Sequence, residues 1–95
     1  MNTVIYEYIL NTDSTNQVVK MPDKASILKA ALQGNNLCIW VHCNPEARMK
    51  DRIIILAGTG HVIPGNPGEH IDTIITYGVL GSLVIHAFDG GYVNS

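Results

Sequence analysis

The densest apolar run in the chain, Ile53-Ile54-Ile55-Leu56, is entered through the charged pair Asp51-Arg52 and left through Gly58-Thr59-Gly60-His61. A short unbroken run of β-branched and bulky residues predicts a buried β-strand. Two-residue alternation recurs on both sides of it. Val4 to Leu10 sets Tyr6 and Tyr8 against Ile5, Glu7 and Ile9. Gln17 to Met21 forms a second short strand after the turn-forming Asn11 to Asn16, and the two together read as an opening β-hairpin. Leu37 to Cys43, Ile71 to Tyr77 and Ser82 to Phe88 are further strands. Asn44 to Lys50 and the Pro/Gly-rich Val62 to Glu69 are loops, and Gly78-Val79-Leu80-Gly81 connects the last two strands.

One segment carries two signals. Asp23 to Gln33 is rich in Ala, Leu and Lys, with Asp23 at the N-cap position and Gly34 at the stop, which suits a helix. Yet Gly34-Asn35-Asn36 lies between two apolar segments and connects them as a hairpin would. The strand is preferred. The chain then reads as all-β, a small antiparallel sandwich or barrel of about seven short strands; a helix at 23–33 would make it α+β.

Length and charge narrow the classes. The 95 residues make one β-rich domain, 1–95, with Asp89 to Ser95 expected to be a mobile tail. Hydrophobic residues make up 46% of the chain and charged residues 15%, so apolar surface is expected to be covered by a partner copy in a homo-oligomer. A net charge of −2 and scattered basic residues argue against long nucleic acid as a partner. No run approaches the ~20 apolar residues of a membrane-spanning helix, and the N-terminus lacks a basic leader region. The expected location is therefore the cytoplasm, with Cys38 and Cys43 as free thiols.

Candidate chemistry centres on Gly58-Thr59-Gly60-His61. Glycines there permit positive φ and close approach of another group, so the backbone N–H groups around Thr59 suit an anion such as a phosphate. In the alternative, the turn merely ends the strand and Thr59 bonds its own backbone. Arg48 and Arg52 flank Lys50 and form the densest basic group, a fork for phosphate oxygens or a solvated loop. Trp40 shares a face with Cys38 and His42. If Leu37, Ile39 and Val41 fill the core, Trp40 looks outward as a stacking platform; with the faces reversed it anchors the core. Tyr77 is a second candidate for stacking. His42, His61, His70 and His86 with the two cysteines have no C-x-x-C or H-x-x-x-H spacing, so neither metal nor cofactor is expected. Glu46, Glu69 and Asp72 form no known catalytic signature with a histidine, and the reading leans away from an enzyme, with a small nucleotide hydrolase as the minor alternative.

At Met21-Pro22, Ile27-Leu28, Cys38-Ile39-Trp40, Asn44-Pro45-Glu46, Gly58-Thr59-Gly60-His61 and Gly81 to Phe88 the chain resembles a family of small uncharacterised bacteriophage proteins. The resemblance implies a shared fold and no catalytic roles. It also implies a phage context, in which counter-defence, takeover of host metabolism and assembly are the available roles, acted out in the host cytoplasm. By analogy of context alone, it suggests capture of a small nucleotide-derived signal without turnover. Gly58, Thr59, Gly60 and His61 would then hold phosphate, Arg48 or Arg52 add charge, and Trp40 or Tyr77 stack on the base. The competing expectation is a homo-oligomeric structural or host-protein interaction module.

Overall fold

The computed structural model describes residues 2–78 and 81–94. Val79, Leu80 and Ser95, which the sequence reading places in a connection and in the tail, lie outside the described residues. Seven antiparallel strands form two sheets: β1 (Val4–Ile9), β2 (Asn16–Pro22), β3 (Ser26–Gln33), β4 (Asn36–Cys43), β5 (Met49–Gly58), β6 (Glu69–Gly78) and β7 (Gly81–Tyr92). The three-stranded sheet runs β1-β4-β3 and the four-stranded sheet β2-β5-β7-β6. The all-β reading holds, and no helix forms at 23–33. The helical propensity of that segment yields to pairing: β3 lies along β4 from Ser26 to Gln33, and Gly34 at φ +60° closes a two-residue turn between Gln33 and Asn36.

The expected β1–β2 hairpin is not formed. β1 pairs with β4 and β2 with β5, so the connection between them crosses from one sheet to the other. Leu10 turns into the core at 4% exposure while its N–H bonds the Leu37 carbonyl. The Gln17 amide then braces the corner against Asn11 and Ser14. Alternation cannot separate the two outcomes, because strands stacked face to face and strands paired side by side both present one apolar face.

Between the sheets lie Met21, Leu37, Ile39, Val41, Ile54, Leu56, Ile74 and Ala87, all nearly inaccessible. Burying an aliphatic side chain of this size contributes about 1.5–3 kcal/mol. In β5, Ile54 and Leu56 enter this core, whereas Ile53 and Ile55 lie half-buried on the outer face. The Asn44–Lys50 loop is shorter than expected, since β5 begins at Met49 opposite Pro22.

Arg52 enters the core from the same face as Ile54. Its guanidinium grips Asp89 through Nε to Oδ1 at 2.8 Å and Nη2 to Oδ2 at 2.5 Å, and donates from Nη1 to the Ala25 carbonyl at 2.9 Å. The cation also lies 4.4 Å from the centre of the Tyr92 ring. The Tyr92 hydroxyl in turn donates to the Pro22 carbonyl at 2.5 Å and accepts from the Ala25 N–H at 3.0 Å. The segment read as a mobile tail therefore continues β7 to Tyr92, and the Val93 N–H bonds the Asp51 carbonyl.

A bulge makes this possible. β7 slips by one residue between the Ile53–Gly91 and Ile54–Asp89 pairs, which brings Asp89 and Tyr92, three apart in sequence, to the same face. Gly91 takes φ +84°, and a Cβ on Gly90 would meet the Ile53 side chain at 2.9 Å. Gly68, at φ +95°, lies against the same place from the preceding loop: a Cβ there would fall 2.0 Å from the Asp89 carbonyl oxygen.

Burial alone would raise the Asp89 pKa, but the hydrogen bonds from Arg52 and the Gly91 N–H, with the Arg52 charge, outweigh it and hold the carboxyl below its ordinary value. A depressed folded pKa means stability that is complete above the unfolded value of about 3.9 and is lost as pH falls through the folded one. Asp89→Asn should cost about 3–5 kcal/mol at neutral pH by leaving Arg52 buried and unpaired. It should also flatten the decline of thermal stability below about pH 4, and parallel acid limbs in the two proteins would refute this account. In the same melts Gly68→Ala should cost more than Gly65→Ala. Both positions have positive φ, worth about 1–2 kcal/mol against an L side chain, but only Gly68 meets backbone, whereas Gly65 faces open space.

Candidate functional site

The Gly58-Thr59-Gly60-His61 turn leaves the end of β5 and closes with a bond from the His61 N–H to the Gly58 carbonyl at 3.1 Å. Gly60 has the positive φ expected of it, +85°. The close approach at Gly58 is made by the protein itself, since a Cβ there would sit 2.9 Å from the His61 ring. The Thr59 side chain does not turn back onto its own backbone. Its hydroxyl pairs with His86 Nε2 at 2.8 Å, His86 Nδ1 pairs with the Thr73 hydroxyl at 2.9 Å, and that hydroxyl pairs with His70 Nε2 at 2.9 Å. The His70 ring packs edge-on against Phe88, centroids 5.5 Å apart.

This chain of two threonines and two imidazoles crosses the outer face of the four-stranded sheet. A hydroxyl donates once and a neutral imidazole carries one N–H, so the bonds run in a single direction along the chain. Both nitrogens of His86 are occupied, each by a threonine hydroxyl. Asp72 is nearest in sequence to Thr73, but its carboxylate accepts the Ala30 N–H at 2.8 Å. Among the described residues no hydrogen bond joins a carboxylate to a histidine, so the charged partner of a Ser-His-Asp type triad is missing. The network ties the turn to β7 and β6.

The eight residues proposed for ligand capture do not converge. Arg48 precedes β5 and the glycine turn follows it, which separates them by the strand's 10 residues, about 30 Å at ~3.3 Å per residue. Arg52 is only 8% exposed and committed to Asp89, with its pKa raised first by that hydrogen bond. Trp40 lies half-buried on the outer face of the other sheet, between Glu7 and Lys29 in register, so it does not anchor the core; Leu37, Ile39 and Val41 do. Tyr77 stands 84% exposed near the β6–β7 turn. A cavity of about 390 Å³ does adjoin the turn, between Thr15, Ile55, Ala57, His61, Ile63 and Pro64, but no Lys or Arg lines it. A phosphate there would meet no cationic side chain.

Other chemistry is equally constrained. Cys38 and Cys43 are free and buried, and burial pushes both thiols up, with the Glu7 charge adding at Cys38. Thiols so placed are poor nucleophiles. Among the described residues no three His, Cys, Asp or Glu side chains gather as a metal site would require, and no helix is long and apolar enough to cross a membrane.

Sequence reasoning missed Asp89 and Tyr92, which hold Arg52, and Lys24, which reaches a cleft with Arg48. For Arg52 a signal existed: it is two and four residues from Ile54 and Leu56 and so shares their face. Lys24 gave none, because a lysine in a turn ordinarily points to solvent. Comparison with curated proteins and with solved structures finds no match to this chain. A family model described as a domain of unknown function (DUF7352) matches residues 1–94, and the chain belongs to that family.

Proposed function

We propose that the protein is a non-catalytic interaction module that works as a homo-oligomer, with the end of the β6–β7 hairpin as its main contact. The observation that carries this is the exposure of that hairpin. β5 ends at Gly58, opposite Ile85, so Gly81 to Val84 pair only with Ile75 to Gly78, as a two-stranded ribbon beyond the sandwich. Ribbons of two strands are marginal in water. This one exposes Tyr77 by 84%, Leu83 by 68% and Ile75 by 49%. Between Asp72 and Asp89 the sequence has no Asp, Glu, Lys or Arg, so beyond Asp72 the edge of β6 lacks the charges that normally discourage pairing with another chain.

Surface area supports a second copy as the occupant. The chain exposes 6256 Å², whereas a folded monomer of 10.3 kDa is expected to expose about 5,400 Å². The surplus of about 850 Å² is close to the ~800 Å² that each partner buries in a standard interface. The low net charge of −2 offers little repulsion between copies. In the phage context suggested by the sequence, such a module would act in the host cytoplasm by contact, in counter-defence or assembly, rather than by turnover.

Sedimentation equilibrium at micromolar concentration should return a multiple of the chain mass. The double variant Tyr77→Glu/Leu83→Glu should weaken association at least tenfold, each tenfold being worth about 1.4 kcal/mol, while keeping the β-sheet circular dichroism of the wild type. A wild-type monomer, or a double variant that associates unchanged, would overturn the reading.

A further inference from the structure

At the opposite end of the sandwich from the ribbon, Lys24, Ser26, His42, Asn44, Ala47 and Arg48 line an open cleft of about 450 Å³, a size common among small-ligand sites. Three observations give it a chemical preference. First, Lys24 has φ +60°, a conformation unfavourable for any residue with a Cβ and free for glycine. A lysine held in such a conformation is a sign that its side chain has a use there.

Second, charge is concentrated at this end. Of the six basic residues, Lys20, Lys50 and Arg52 are paired with Asp51, Asp23 and Asp89. Among the described residues the other three, Lys24, Lys29 and Arg48, have no carboxylate partner, and two of them line this cleft. The carboxylate in the wall is already engaged: Asp23 accepts from the Lys24 N–H at 2.9 Å and meets Lys50 Nζ at 3.4 Å. A chain of net charge −2 thus keeps a locally cationic pocket.

Third, the walls are held in place and carry further donors. The Asp23 N–H bonds the Arg48 carbonyl at 2.8 Å, which fastens the Lys24 turn to the loop before β5. Behind that turn Ala25 is clamped by Arg52 and Tyr92. His42 Nε2 pairs with the Thr3 hydroxyl at 2.8 Å, and Ser26 is the register partner of His42 across the strands. Two cations with a hydroxyl and an imidazole beside them match the oxygens of a phosphate group, and Ala47 offers an apolar surface to whatever the phosphate is attached to.

We infer that this cleft binds a small phosphate monoester through Lys24 and Arg48. The site is separate from the ribbon, so it stands or falls independently of self-association. Calorimetric titration with adenosine monophosphate and with inorganic phosphate, on wild type, Arg48→Ala, Lys24→Gly and Leu83→Glu, tests it. The expected result is binding at submillimolar concentration for the monoester and weaker binding of inorganic phosphate. Affinity should fall at least tenfold in Arg48→Ala and in Lys24→Gly and be unchanged in Leu83→Glu. Because glycine relieves the φ at position 24, Lys24→Gly should melt at or above the wild-type temperature, which separates loss of the site from loss of the fold. No heat with either anion up to the millimolar range, or wild-type affinity in Lys24→Gly, would overturn the inference.

Discussion

A guanidinium inside a hydrophobic sandwich is the constraint around which this protein is arranged. A buried charge is tolerated only when its partners match it closely. Arg52 receives a two-pronged carboxylate from β7, a carbonyl from the β2–β3 turn and an aromatic face from Tyr92. Each of these groups is itself tied down. Tyr92 bridges Pro22 and Ala25, and Asp89 is also held by the Gly91 N–H. The positions of the β2–β3 turn, the end of β7 and the loop at Gly68 follow from the geometry that one side chain demands. The cleft at Lys24 inherits its rigidity from the same source.

What the sequence made legible, and what it hid, divides along a physical line. Side-chain alternation reports which residues share a face, and on that basis the strands, the all-β class and the hairpin turn at Gly34 were readable before any coordinates. Partner choice is a different quantity. β1 and β2 have the alternation of a hairpin and yet lie in different sheets, because the same apolar face serves either arrangement. Asp23 to Gln33 shows the reverse case, where strand pairing overrides local helical propensity.

The candidate site was less legible, for a related reason. A glycine in a turn signals that something comes close to the backbone without saying what, and at Gly58 the neighbour is His61 of the same turn. Arg48, Lys50 and Arg52 look alike in sequence, but their fates differ: one lines a cleft, one pairs with Asp23 and one is buried. Their distances along β5 from the glycine turn, and the faces they occupy, decide this. His86 and Thr73, 13 residues apart, met only because β6 and β7 pair.

The one-residue slip at Gly90-Gly91 has a kinetic consequence. Arg52 waits for Asp89, 37 residues further along the chain, and the slip puts Asp89 and Tyr92 on its face together. Until that segment is in place, bringing the two sheets together would bury the Arg52 guanidinium without its carboxylate. Closure of the core is thereby coupled to arrival of the last strand, and partly assembled forms gain little by collapsing. Long-range pairings of this kind slow folding. The same pairing leaves a collapsed form without its last strand carrying an uncompensated charge.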